Sequence, residues 1–264
     1  MNRDVVRQIS NVVILIVTVA VNYVSQALPL NNQTSAEIAN RFENNFFFPA
    51  NYAFSIWGII YVGLAAFAIY QALPSQRENP LLRRIGFLFV IGSIANMGWL
   101  VAFHFDQHVI SLVMMVTLLV ILVTVYIRIR PAGYAATLAD RLAIRVPFSL
   151  YFGWITVATI ANATYVLLDL GWDGLGIAFT TWGAIMIVVG AVVSGVIAYR
   201  FKDIAYAAVI VWAFVAIIVR HGAVQDVALA AGVMAAAVAL AAIIANILSL
   251  TGGGRNQGTV TGAA

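Results

Sequence analysis

The sequence predicts an all-α fold: a polytopic helical membrane protein with eight transmembrane helices. Hydrophobic residues make up 63% of the 264 residues and charged residues only 9%, where a soluble domain carries roughly a quarter charged residues. The apolar residues gather into eight stretches, at about 11–30, 50–73, 84–105, 108–128, 146–168, 176–198, 204–220 and 227–249. A hydrocarbon core about 30 Å thick takes about 20 residues per helix. The backbone must satisfy its own hydrogen bonds there, so such spans are helices. The third observation is charge placement. Of the 13 Arg and one Lys, twelve fall on one side if the chain crosses at each span: Arg3, Arg7, Arg77, Arg83, Arg84, Arg128, Arg130, Arg141, Arg145, Arg200, Lys202 and Arg255. Only Arg41 and Arg220 fall on the other. The positive-inside rule then places both termini in the cytoplasm. The net charge of +4 reflects this topology and implies no nucleic-acid partner.

Span 1 follows Arg3 and Arg7 and runs through Val12–Val21 to about Leu30. With the small-residue site Ser25-Gln26-Ala27 it imitates a secretory leader, but its length reads as a retained span. The segment of about 31–48 ends in Phe46-Phe47-Phe48 before Pro49. It is long enough to form a lid over a mouth facing the membrane. Equally, its phenylalanines suit an interfacial loop resting among the headgroups.

Within the spans, polar residues are costly and informative. Span 2 places Phe54, Trp57, Tyr61 and Ala65 at spacings of three, four and four, on one helical face. Span 3 does the same with Asn96, Trp99 and Phe103, and span 5 with Trp154, Ala158, Asn162 and Tyr165. Any one stripe alone reads as packing. Facing one another, the three would line a flat aromatic slot with indole and amide partners, as sites for planar ligands are built. No Asp, Glu, Lys or Arg sits near the middle of a span, which argues against proton pumps, voltage sensors and ion-coupled carriers. In the turn before span 4, which holds His104, Asp106 and His108, the His pair at i, i+4 has the spacing to bind a metal or haem iron but no evident third ligand, so the cluster reads as a solvated turn, with no metal site. The chain has no Cys, which excludes disulfides and thiolate chemistry. With no Ser–His–Asp set and no paired carboxylates, no catalytic residues are assigned and the residues point away from an enzyme.

Spans 6 and 8 carry small residues, Gly183, Gly190, Ser194 and Gly195 in one and an Ala-rich run around Gly232 in the other. They suit close helix packing within the chain, in a homo-oligomer or in a membrane complex. Trp182 and Trp212 read as packing. Residues 251–264 read as a disordered tail.

Three motifs carry a resemblance. Span 2 reads Phe54-x-x-Trp57-x-x-x-Tyr61 followed by Gly63-x-Ala65. Span 3 holds Asn96-x-x-Trp99 with Phe103, and span 5 reads Trp154-x-x-x-Ala158-Thr159-x-x-Asn162. In this order and on these spans they resemble the TspO/MBR family, also called translocator protein or tryptophan-rich sensory protein, over about residues 11–168. The resemblance implies a five-helix bundle in residues 1–170; the three additional helices in 171–250 have no counterpart in the five-helix members. It implies ligands such as porphyrin, haem and other planar hydrophobic molecules, with no required cofactor. The pocket residues it implies are Phe54, Trp57, Tyr61, Asn96, Trp99, Phe103, Trp154, Ala158 and Asn162. The expected role is a membrane binding protein, sensor or carrier in a plasma membrane, a bacterial inner membrane. The alternative is a structural or assembly subunit of a larger membrane complex. Departures are Leu100 after the span 3 Trp, Pro49-Ala50-Asn51-Tyr52 at the entry to span 2, and no basic residue close behind Tyr165.

Overall fold

A computed structural model describes residues 2–253. The expected tail lies outside them except for residues 251–253, which continue the last helix. The long helices are α1 (Arg3–Ala27), α2 (Ile56–Ala72), α3 (Leu88–His104), α4 (His108–Arg128), α5 (Val146–Asp169), α6 (Phe179–Phe201), α7 (Ile204–His221) and α8 (Gln225–Gly253). No strand occurs among the described residues. Among the described residues, seven helical segments are long and apolar enough to cross a membrane, and α3 is shorter at 17 residues. The chain is a polytopic helical membrane protein.

The shortening of α3 has a local cause. Asn79 caps a separate helix, Pro80–Ile85, by accepting from the Leu81 N–H, and Gly86 ends it at φ +57. Pro near the first turn and a positive-φ Gly just past the last are the usual helix bounds, so α3 restarts at Leu88. Before α5, a π-turn at Arg141–Arg145 absorbs Pro147, whose ring and missing N–H disturb a regular α-helix.

Helix packing is cyclic through the first five helices. α1 packs on α2 and α3, α3 on α4, α4 on α5, and α5 back on α2. α7 docks on α5, and α8 packs on α6 and α7. The seam between α5 and α7 is close: a Cβ on Gly153 would lie 3.1 Å from Val209 Cβ and 3.2 Å from the Tyr206 carbonyl oxygen. At the basic end of this seam, Asp203 accepts from Arg130 and Ser149, both at 2.6 Å, and from Tyr126 at 2.8 Å. Its other oxygen accepts from the Tyr206 N–H and caps α7. Arg130 also lies 3.6 Å above the Tyr126 ring.

α1 turns its polar stripe inward. Gln8, Asn11, Thr18 and Ser25 are buried, while Ile9, Val13, Ile16 and Tyr23 are exposed to what is lipid in the membrane. Gln8 donates to the Gln71 and Leu73 carbonyls, and Asn11 to the Gln71 side chain. Among helices surrounded by hydrocarbon, such bonds and small residues hold helices together, since apolar burial alone supplies little preference.

Candidate ligand-binding site

The segment 31–48 folds over the end of the five-helix ring where α1 and α3 finish. Its short helix Ser35–Ala39 has a capping box between Thr34 and Glu37. Asn31 and Gln33 donate to the His104 carbonyl at 3.1 and 2.9 Å, and Arg41 pairs with Asp106 at 2.7 Å. Burial alone would raise the Asp106 pKa. The hydrogen bonds from Arg41 and Gln33 outweigh it and hold the carboxyl below its ordinary value. The latch therefore keeps its charge at any pH above the usual carboxylate range, weakening only as pH falls through that lowered pKa. Phe47 and Phe48 are buried, and Phe46 lies so close to Gly183 that a Cβ there would meet Phe46 Cβ at 2.5 Å. The phenylalanines thus point into the protein, and the segment is a cap.

α7 anchors the chain as it leaves this cap. Trp212 Nε1 donates to the Ala53 carbonyl at 3.1 Å, His221 contacts the Phe48 carbonyl at 3.0 Å, and Ala50 N–H donates to the Ala216 carbonyl at 3.0 Å. Arg220 donates to Asn40. The turn Asn51–Ser55 that carries Phe54 is fixed in this way, one residue before α2 begins.

Under the cap the aromatic stripes meet. The Trp57 ring stacks on Tyr61 at 5.5 Å and meets Tyr151 at 5.8 Å and Trp154 at 6.5 Å edge-on. Phe54 packs on Trp154 at 5.7 Å, Trp99 stacks on Phe103 at 5.6 Å, and Phe103 packs on Tyr165 at 5.4 Å. Two spaces flank this cluster. An inner cavity of about 50 Å³ is lined by seven of the nine residues singled out above, Phe54, Trp57, Trp99, Phe103, Trp154, Ala158 and Asn162, and roofed by Ser35, Ala39, Phe48 and Pro49. An outer cavity of about 390 Å³ is lined by Phe54, Trp57, Gly58 and Tyr61, by Trp99 and Leu100, and by Val19, Asn22, Tyr23 and Gln26 of α1. Phe54, Trp57, Trp99 and Ser35 line both and form the partition between the two.

Asn96 lines neither space. It is fully buried, and its Oδ1 accepts from Asn22 of α1 at 3.0 Å. Ala65 is exposed on the outer surface, so the α2 stripe ends at Tyr61. Several polar atoms of the lining residues are buried without a hydrogen-bond partner: Trp99 Nε1, Tyr61 OH, Asn162 Oδ1 and Tyr165 OH. Buried polar groups are nearly always paired, and four such orphans beside one cavity system mark where a ligand or water would bond. Trp57 makes ring contacts but no hydrogen bond among the described residues.

Trp182 Nε1 donates to the Gly174 carbonyl at 2.7 Å and lines neither space. His104 is fully buried, with Nδ1 2.8 Å from the Leu100 carbonyl, and His108 Nδ1 lies 2.8 Å from Asp169. No group of three or more His, Asp or Glu side chains suited to a metal occurs among the described residues. The residues the sequence reading left out are those of α1. Their signal was present: Gln8, Asn11, Thr18, Asn22 and Ser25 follow one another at spacings of three, seven, four and three, a single polar face.

No curated protein matches the chain. No solved structure matches it either. The family described as TSPO-like protein matches residues 8–245, through all eight helices. With an aromatic-walled membrane site capped by the first loop and a match across nearly its whole described length, the chain belongs to the TSPO-like protein family.

Proposed function

We propose that the protein binds planar hydrophobic ligands of the porphyrin and haem class within the membrane, as a sensor or carrier. Membership of the TSPO-like family supports ligand binding or sensing in general. The observation that carries the finer reading is the outer cavity. Its volume of about 390 Å³ falls within the roughly 300–1,000 Å³ of small-molecule sites. The inner cavity, at about 50 Å³, has room for little more than water. A flat ligand entering between α1 and α2 would lie against Trp57, Trp99, Phe54 and Tyr61, and aromatic faces suit it. Asn22, Gln26 and Asn51 would meet its polar edge. The unbonded Trp57 indole offers a donor.

Titrating the purified protein with protoporphyrin is expected to quench tryptophan fluorescence saturably, at about one ligand per chain. Trp57→Phe keeps the apolar wall and removes the donor, so affinity should fall about tenfold, the scale of one net hydrogen bond. Quenching that rises linearly without saturation would count against the reading.

The orientation follows from charge: the side to which the alternation of spans in the sequence assigns twelve of the fourteen basic residues faces the cytoplasm. The chain has no native Cys, so single cysteines report on sidedness. Glu43→Cys, in the cap, should react with an impermeant maleimide on intact cells, and Ser75→Cys only after lysis. Labelling of Ser75→Cys from outside would reverse the assignment.

A further inference from the structure

A further cavity, of about 470 Å³, opens at the arginine-rich end, between the start of α1, the start of α3 and the end of α4. Five arginines line it, Arg3, Arg7, Arg83, Arg84 and Arg128, against one carboxylate, Asp4. Asp4 is already engaged by Arg7 at 2.9 Å and Arg83 at 2.7 Å. Arg83 also meets Glu78 at 3.2 Å. Arg3, Arg84 and Arg128 pair with no carboxylate among the described residues. Arg128 Nη1 lies 3.4 Å from the Arg84 carbonyl oxygen, which brings the two arginines together at the rim. Arg7 is 97% buried, at 3% exposure, and its Nε has no partner. Gly86, at φ +57, turns the chain so that α3 starts at this cavity with no side-chain cap. The unpaired N–H groups of that first turn add partial positive charge.

Like charges gathered at one place repel unless an anion neutralises them. Guanidinium forks match phosphate oxygens in pairs. The remaining wall is apolar, formed by Phe87, Leu88 and Ile91. Ile91 is 49% exposed and Ile94, one turn on, 55% exposed, so the apolar wall continues along α3 into the bilayer. We propose that this cavity holds the phosphate headgroup of an anionic phospholipid, with an acyl chain lying along Ile91 and Ile94. A soluble phosphate would use the arginines but not the apolar track. Basic pockets beside transmembrane helices on the cytoplasmic side are suited to such lipids.

The test uses the full chain in mild detergent, with phosphatidylglycerol, phosphatidylcholine or glycerol 3-phosphate added. Lipid retention is read by native mass spectrometry and stability by thermal unfolding. Wild type should retain about one phosphatidylglycerol in preference to phosphatidylcholine and unfold at higher temperature with it, while glycerol 3-phosphate has no such effect. The pair Arg84→Gln and Arg128→Gln removes the rim charges without touching the Asp4 pairs. It should weaken phosphatidylglycerol binding about thirtyfold, from roughly 1 kcal/mol per basic residue. Arg200→Gln, on the same side but outside the cavity, should change nothing. If the double variant does not fold, Arg84→Gln alone should show about a fivefold loss. Equal retention of the two lipids, unchanged binding by the rim variants, or equal stabilisation by glycerol 3-phosphate would overturn the proposal.

Discussion

Replacing Asp203 with alanine is expected to destabilise the protein by about 3–5 kcal/mol, the scale for removing one partner of a buried ion pair. The side chains of Arg130 and Asp203 are only 12% and 7% exposed. Burial lowers the Arg130 pKa, while Tyr126 and Asp203 oppose the shift, so without Asp203 the guanidinium stays in a poorly solvated place with no counter-charge. Tyr126 loses its acceptor, Ser149 one of two, and α7 its cap in the same step. Losing the cap adds about 1 kcal/mol. Combining Asp203→Ala with Arg130→Met should recover much of the loss, because an apolar replacement of both partners is often neutral. Thermal unfolding in detergent checks this. A single-variant loss below about 1 kcal/mol would show that the network contributes nothing net.

α7 carries this consequence further. The same helix that Asp203 caps also holds the chain between the cap and α2, through Trp212, His221 and the Ala216 carbonyl. Weakening its seat on α5 should therefore loosen the turn that positions Phe54, well away from the altered residue. α7 bears on the site in this way, by fixing the turn at its entrance.

The helices were legible in the sequence because hydrocarbon thickness sets their length, and α4 to α8 start and end close to the apolar stretches, whereas α1 already starts at Arg3 and α2 only at Ile56, after the turn Asn51–Ser55. Span 3 starts later than its hydropathy suggests. Asn79-Pro80 and Gly86 impose a separate short helix, and such caps override apolar character. The meeting of Trp57, Trp99 and Trp154 beside one cavity could be anticipated from spacing. Which face each helix turns inward was harder to read. In a bilayer the outside is as apolar as the core, so Ala65 could sit outward while sharing a face with Tyr61 by spacing. Polar residues mark the inner face more reliably, and on α1 they did: Asn22 reaches Asn96 across the bundle. The cap's direction depended on tertiary fit, since Phe46 needs Gly183 opposite it, 137 residues further along the chain.

A loss of porphyrin affinity exceeding tenfold is expected at Gly58. A Cβ built there meets nothing within 4 Å, and the position lines the outer cavity. Gly58→Leu should therefore fill the ligand space without crowding the fold, and it removes a helical glycine that costs about 1 kcal/mol relative to alanine. Ala158→Leu is the counterpart. It lines the inner cavity of about 50 Å³, which is too small for the added atoms, so it should cost about 1–3 kcal/mol by overpacking and leave affinity within about threefold.

Protoporphyrin titration of these two variants beside wild type, with unfolding measured on the same samples, tests the assignment of the ligand to the groove between α1, α2 and α3. The account predicts saturable binding in wild type, binding lost in Gly58→Leu with stability kept, and binding kept in Ala158→Leu with stability reduced. Undiminished binding by Gly58→Leu would contradict it. No saturable binding by wild type, with copurification in a membrane complex, would favour an assembly subunit instead.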